Sequence, residues 1–393
     1  MHRRAAVLGT AMLLAVSVLL TACGMPADAS VPEVTSSASP TPPPAPPAPP
    51  PPNDLGTQRI TEIATVECPG AVTAQSIRML VQDKADAVSF FASTKQCGDI
   101  AQVLAAGDAV RTFVSPLQYI DGPCLAGNLL TVWAHYDDDL IFGSPTIPNA
   151  LDAGQCVRNF YLTGSDAGKG LKYGYGREDG LRDAYDVLLG SPHEWEERTV
   201  TLANGIVLAM SRPIGEPRVS LYFLRLPDGG LRAEGFESTG WESLPRLLSG
   251  TISEMHVIDT GAPVNLDAIS STLVELYNAY LPGMVLAHLP GRAEGTTGDH
   301  PDHQVTGDIV MTATDAGQLD QALVTYVQGY PSEKRAQNLS GDVLQRTLEA
   351  FAVYGKHDSV IHCSSADTCL DLDRFGSWLA RQYLVPHSEL VRP

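Results

Sequence analysis

The feature that most constrains the fold is a change of pattern at residue 124. From there, short apolar runs alternate with longer segments of helical spacing. Residues 129–134 (LLTVWA) and 157–163 (VRNFYLT) are short, largely apolar runs, and the first ends in an acidic cluster, as a buried strand leading into a loop does. Residues 199–210 and 218–226 read as strands too, the second ending at Pro227-Asp228-Gly229. Between 264 and 280, apolar residues at 266, 269, 273, 276, 277 and 280 mark one face of a helix. A short strand at 285–287 precedes a polar, Gly-rich loop; 323–327 is a later strand, and 177–189 and 341–354 are helical. Such alternation predicts an α/β fold, a mostly parallel sheet with helices on both faces. Sites in such sheets lie beyond the carboxyl ends of the strands.

The chain ahead of residue 124 is organised differently. His2-Arg3-Arg4 precede an apolar run from Ala5 to Leu20, and Leu20-Thr21-Ala22-Cys23 closes it. This has the form of a secretory signal over residues 1–22. The run is short for a bilayer span, and no later segment has about 20 continuous apolar residues. The Leu-x-small-Cys ending resembles a bacterial lipobox, which implies lipidation of Cys23 and an extracytoplasmic protein anchored to the bacterial cell membrane. Residues 23–56 form a tether whose core, PTPPPAPPAPPPP, is polyproline II at roughly 3.1 Å per residue. Residues 57–123 have roughly helical apolar spacing and predict an N-terminal helical extension.

Charge and cysteines narrow the function. The net charge is −19, and loss of the signal with Arg3 and Arg4 leaves 24 basic against 45 acidic residues. That excludes a nucleic-acid binder, which needs Lys and Arg to neutralise phosphates. Apart from Cys23 there are six cysteines, at 68, 97, 124, 156, 363 and 369. An even number in an exported chain predicts three disulfides. Cys124–Cys156 is the leading pair, since each precedes a strand and the two strands are candidates for parallel neighbours about 4.8 Å apart. Cys363–Cys369 and Cys68–Cys97 follow as sequence-local pairs.

Two clusters carry the chemistry. Ala134-His135-Tyr136-Asp137-Asp138-Asp139 ends the first strand of the sheet, and Gly298-Asp299-His300-Pro301-Asp302-His303 follows the strand at 285–287. Three adjacent carboxylates repel one another, and a cation relieves that repulsion. His135 and Asp138 are three apart, so a tight turn can aim both at one point, and His303 can add a third ligand from the other loop. Two histidines and a carboxylate, with water in the fourth position, form a common catalytic zinc arrangement. His288 ends the strand before the second cluster and is the best candidate to support it from behind.

The first cluster resembles the Ala-His-Pro-Asp-Asp-Glu motif of the PIG-L/LmbE-like N-acetylglucosaminyl deacetylases, and the second resembles that family's His-Pro-Asp-His motif. Residues 161–168 (YLTGSDAG) resemble its Thr-x-Gly-Asp/Glu-Ala-Gly turn, and Arg177-Glu178 with Leu181-Arg182-Asp183-Ala184-Tyr185 resembles the helix after it. The likeness spans about residues 126–330. It implies a Rossmann-like deacetylase domain over 124–393. It also implies zinc (Zn2+) on His135, Asp138 and His303, with Asp137 as general base and His300, protonated, as the catalytic histidine. Asp302 is the carboxylate beside it, and Arg177 and Asp166 bind substrate at the pocket rim. Tyr136 and Asp139 depart from the family's Pro and Glu, and Gly180 stands where the family has a glutamate three residues after the arginine.

The Gly-rich stretch 164–170 (GSDAGKG) does not match a P-loop, which needs four residues between its glycines and Ser or Thr after Lys, and no GxGxxG or GxSxG occurs. No nucleotide partner is expected. The expected function is a zinc-dependent N-deacetylase acting on N-acetylglucosamine-type sugars in an envelope glycan or glycolipid. The alternatives are a zinc hydrolase for a non-sugar amide or ester, and a non-catalytic envelope sugar-binding protein.

Overall fold

The computed structural model describes Cys124 and residues 126–392, together with the backbone of four short strands further upstream. The signal, Cys23, the tether and the Cys68–Cys97 pair lie outside the described residues. Of the expected helical extension, Ser76–Val81 is a strand, paired antiparallel with Glu62–Glu67. Its short, mostly apolar run suits either period, and pairing decides for the strand. Arg59–Ile60 and Thr112–Phe113 form a second short ladder, and the rest of 57–123 lies outside the described residues.

The main sheet has eight strands: β1 (Asn128–Trp133), β2 (Cys156–Thr163), β3 (Trp195–Thr201), β4 (Val207–Pro213), β5 (Val219–Leu226), β6 (Met284–His288), β7 (Val324–Val327) and β8 (Leu384–Pro386). Their order is β8-β7-β6-β1-β2-β5-β4-β3. The five from β7 to β5 are parallel; on one edge β8 pairs antiparallel with β7, and on the other β4 pairs antiparallel with β5 and β3 with β4. The chain runs outward from β1 to β2 and β5, then returns to β6 and β7 on the other side. The order therefore reverses between β1 and β6, and a crevice opens beyond their carboxyl ends.

The run read as one strand at 199–210 is a hairpin instead. β3 ends at Thr201, and the turn at Asn204-Gly205 reverses the chain into β4, with Gly205 N–H donating to Leu202 C=O. Leu202 N–H donates to Ile206 C=O across a three-residue loop in which Gly205 takes positive φ, the position glycine fills most easily.

Helices cover both faces. α1 (Asp138–Phe142), α2 (Thr146–Asp152), α3 (Leu171–Leu189) and, later, α6 (Gly341–Tyr354) take one side; α4 (Leu266–Tyr280) and α5 (Pro301–Asp315) take the other. Alternate residues of β1 divide between the two cores: Leu130 and Val132 face α4 and α5, while Leu129 and Trp133 face the other layer. This period of two, apolar on both sides, makes β1 a central strand. Among the described residues, no helix is long and apolar enough to cross a membrane.

Disulfides join Cys124 to Cys156 and Cys363 to Cys369. The first ties the amino ends of β1 and β2, whose register pairs Asn128 with Cys156.

Candidate metal centre and active-site pocket

The two sequence clusters meet where the strand order reverses. β1 runs straight into His135–Asp139, with Asp138 and Asp139 opening α1. β6 ends at His288, and the loop beyond it leads to α5. His300 caps that helix, accepting the Asp302 N–H on Nδ1 at 3.1 Å, and Pro301 starts it where a missing N–H costs nothing. His303 lies in the first turn. One turn later comes Gly307, where a Cβ would stand 2.4 Å from His288 C=O and 2.6 Å from Pro290 N. Only glycine lets α5 press this closely on the end of β6. The same approach stacks the His303 and His288 rings, 4.0 Å apart and 4° from parallel.

Three donors converge. His303 Nε2 lies 2.9 Å from Asp138 Oδ1 and 3.2 Å from His135 Nδ1, and His135 Nδ1 lies 3.4 Å from Asp138 Oδ2. All three residues are buried. Outer carboxylates set the tautomers. Asp299 Oδ1 is 2.9 Å from His303 Nδ1, and Asp302 Oδ2 is 3.4 Å from His135 Nε2. With protons on those outer nitrogens, the inner lone pairs of both imidazoles point at one another and at Asp138. Such convergence is repulsive unless a cation lies among them, and carboxylate-backed histidines are what metal ligands look like. The residues fit a divalent metal. His288 Nε2 adds a bond to Asp138 Oδ2 at 2.9 Å, and His288 Nδ1 has no partner.

The electrostatics agree. Burial opposes ionisation of Asp138, but His303, His288 and His135 outweigh it and hold the carboxyl well below its usual range. Burial also opposes charge on His303, yet Asp138 and Asp299 push it up to about 9. His288 is driven down to about 4, by burial first and by His303 second. Positive charge is thus favoured at His303, beside Asp138, and disfavoured at His288.

Beside it opens a cavity of about 660 Å³ whose floor includes Asp137, Tyr173, Arg177, Asp228, His300 and Tyr330. At its mouth Leu231, Trp241 and Val360 are exposed, beside the charged Arg232 and Glu234. Arg177 is buried at the floor, its Nη2 2.6 Å from Asp137 Oδ1. It does not stand free at the rim to meet substrate as the sequence implies; its fork is already engaged. Burial raises the Asp137 carboxyl, and Arg177 chiefly opposes that.

Asp166 is a correction. It is fully buried, and its two oxygens accept the N–H groups of Gly168 and Asp228, so it holds the turn after β2 and the loop after β5 together and does not line the cavity. His300 is buried too, and burial, then His135 and His303, hold its pKa well below the usual value, which disfavours the protonated form. Because Nδ1 accepts a backbone N–H, the ring proton is on Nε2. Asp302 lies nearer His135 (3.4 Å) than His300 (3.9 Å) and accepts the Gly229 N–H at 2.8 Å, so it orients the proposed ligand more than the histidine beside it.

The two unusual motif residues find partners. Tyr136 O–H donates to Glu178, which pairs with Arg225, and Asp139 accepts from Tyr161 and Tyr185 at 2.8 and 2.7 Å. Neither faces the donors directly. Sequence reasoning missed Asp228, Asp299 and Asp358. Of these only Asp299 carried a signal, four residues before His303 on the same helix end.

The family described as GlcNAc-PI de-N-acetylase (PIG-L) matches residues 130–314, which takes in both clusters. No curated protein matches the chain. Among solved structures, N,N'-diacetylchitobiose deacetylase from Pyrococcus horikoshii is 14% identical, with a TM-score of 0.37, covering 66% of this chain and 84% of that one. The A40926 pseudoaglycone deacetylase is 14% identical, with a TM-score of 0.37 and coverages of 66% and 97%. A conserved protein from Thermus thermophilus is 18% identical, with a TM-score of 0.34 and coverages of 67% and 94%.

Proposed function

Through residues 130–314 this chain belongs to the GlcNAc-PI de-N-acetylase (PIG-L) family of metal-dependent hydrolases, and we propose that it is a zinc-dependent N-deacetylase of N-acetylglucosamine-type sugars in an envelope glycan or glycolipid. One observation carries this reading. His135, Asp138 and His303 turn their inner donor atoms on one point, within 3.4 Å of each other, and Asp137, adjacent in the chain, lines the cavity beside them.

His135, Asp138 and His303 would hold the ion. Bound there, zinc polarises the acetamide carbonyl and lowers the pKa of water toward about 7. Asp137 takes the proton of the attacking water. Arg177 aims that carboxylate and opposes the burial that raises its pKa. His300, neutral with its proton on Nε2, donates a hydrogen bond to the oxyanion that develops as the carbonyl carbon becomes tetrahedral. Asp137 then carries the proton that the leaving amine needs when the C–N bond breaks, giving acetate and the free amino sugar. Asp302 and Asp299 hold the two histidine ligands in the tautomers this requires.

The exposed Leu231 and Trp241 at the mouth support a substrate in which the sugar bears an apolar group packed against them. The lipobox-like ending at Cys23 and the proline-rich tether support an enzyme that is lipid-anchored outside the cytoplasmic membrane. Acetate release from N,N'-diacetylchitobiose, cell-wall saccharide fragments and glycolipid fractions, against phenyl acetate as a non-sugar ester, tests the reading. Release from at least one sugar substrate supports it. Hydrolysis of the ester alone contradicts it.

A further inference from the structure

The sequence has one departure that the metal centre does not explain. Gly180 stands one turn after Arg177 on α3, where the resemblance leads one to expect a glutamate. In the structure a Cβ at Gly180 would lie 2.9 Å from the Tyr354 ring, 3.0 Å from Tyr354 C=O and 3.1 Å from His357 Cβ. Gly176, one turn before, faces His357 C=O at 3.4 Å. The glycine face of α3 is thus where the end of α6 lands. That helix end, with the residues just after it, lies outside the segment that matches the family.

What lands there reaches Arg177. Tyr354 Oη accepts from Arg177 Nε at 2.6 Å, and Asp358 Oδ2 lies 3.3 Å from the same nitrogen. Asp358 is itself fixed, for Oδ1 accepts the Tyr173 O–H at 2.6 Å and the Val360 N–H at 2.8 Å. Arg177 Nη1 donates to Ser165 C=O at 3.0 Å, leaving Nη2 for Asp137 at 2.6 Å. A guanidinium is a rigid planar fork, so fixing Nε and Nη1 fixes the direction of Nη2.

We propose that Asp358 is a positioning residue for the reaction: delivered through the gap at Gly180, it helps to lock Arg177 so that its remaining arm holds Asp137. The inference rests on Asp137 being the base. Asp358 lines the same cavity, and its ion pair is with Arg177, not with a metal ligand. It explains why a glycine occupies position 180, since any side chain there would push the end of α6, and Asp358 with it, away from Arg177.

The experiment uses the full chain and the variants Asp358→Asn, Asp358→Glu and Gly180→Ala, with two readouts. The first is solvent exchange of the Arg177 Nε–H followed by NMR, which needs no turnover. It should quicken by on the order of tenfold in Asp358→Asn and Gly180→Ala, as a locked fork becomes free to open. The second is acetate release from N,N'-diacetylchitobiose. In the same two variants kcat should fall on the order of tenfold with KM within about twofold, because aim is lost and binding is not. Asp358→Glu, which keeps the charge, should recover part of both. Unchanged exchange at Arg177 in Asp358→Asn overturns the proposal, and so does unchanged kcat in that variant when the wild type is active. If the wild type releases no acetate from this probe, the deacetylase reading has failed on it, and the exchange readout alone decides the clamp.

Discussion

Arg177 Nη2 lies 2.6 Å from Asp137 Oδ1 in the floor of the pocket, with both side chains buried. A carboxylate next to the metal ligands is therefore paired with a cation that opposes the effect of its burial. That cation is gripped from behind by Tyr354, Asp358 and Ser165 C=O. This pairing makes the arginine part of the machinery for activating water instead of a free hand for the substrate.

The sign of its effect on pH dependence follows. Burial raises the Asp137 carboxyl and Arg177 lowers it. Arg177→Ala removes the lowering influence, so the acid limb of kcat/KM should move to higher pH. Arg177→Lys keeps the charge but cannot span four partners at once, so it should shift the limb less while still losing about 10- to 100-fold in kcat. A pH–rate profile of both variants checks this, and an acid limb that stays in place in Arg177→Ala contradicts it.

The ligand set predicts one metal ion per chain. His303→Ala removes a donor 2.9 Å from Asp138 and 3.2 Å from His135 and leaves two. Zinc content of the purified variant, by elemental analysis, should drop to a small fraction of the wild-type value. Asp166→Asn should leave it unchanged, because Asp166 only ties two loops together. Full zinc occupancy in His303→Ala contradicts the assignment.

The Cys124–Cys156 bridge lies at the amino ends of β1 and β2, opposite the carboxyl ends that carry the pocket. It closes a loop with a sequence separation of 32. The double variant Cys124→Ser, Cys156→Ser should therefore lose about 2–4 kcal/mol of stability and keep its activity at 25 °C. Denaturant unfolding with a parallel rate measurement checks both halves. An unchanged unfolding midpoint contradicts the first, and lost activity in the folded protein contradicts the second.

Much of this is legible in the sequence. β1 and β2 announce themselves as apolar runs, and the clusters that end β1 and begin α5 can meet only if the sheet reverses between β1 and β6. The β3–β4 hairpin is hidden because strand-like composition runs on through its turn, although Asn204-Gly205 marks it. Asp166 misleads because a carboxylate in a Gly-rich turn looks alike whether it faces a pocket or two backbone N–H groups. Asp358 is out of reach. It meets Arg177 across 181 residues of chain, and the only local trace of that contact is a glycine at 180.

The central claim is that Asp137 activates water for deacetylation beside a metal it does not hold. The most direct test is acetate release from N,N'-diacetylchitobiose by the zinc-loaded full chain and by Asp137→Asn, with bound zinc measured in the same samples. The account predicts release by the wild type that a chelator abolishes, and a loss of at least about 100-fold in Asp137→Asn with zinc content unchanged. Near wild-type turnover in Asp137→Asn, or wild-type release that persists after the metal is removed, would contradict it.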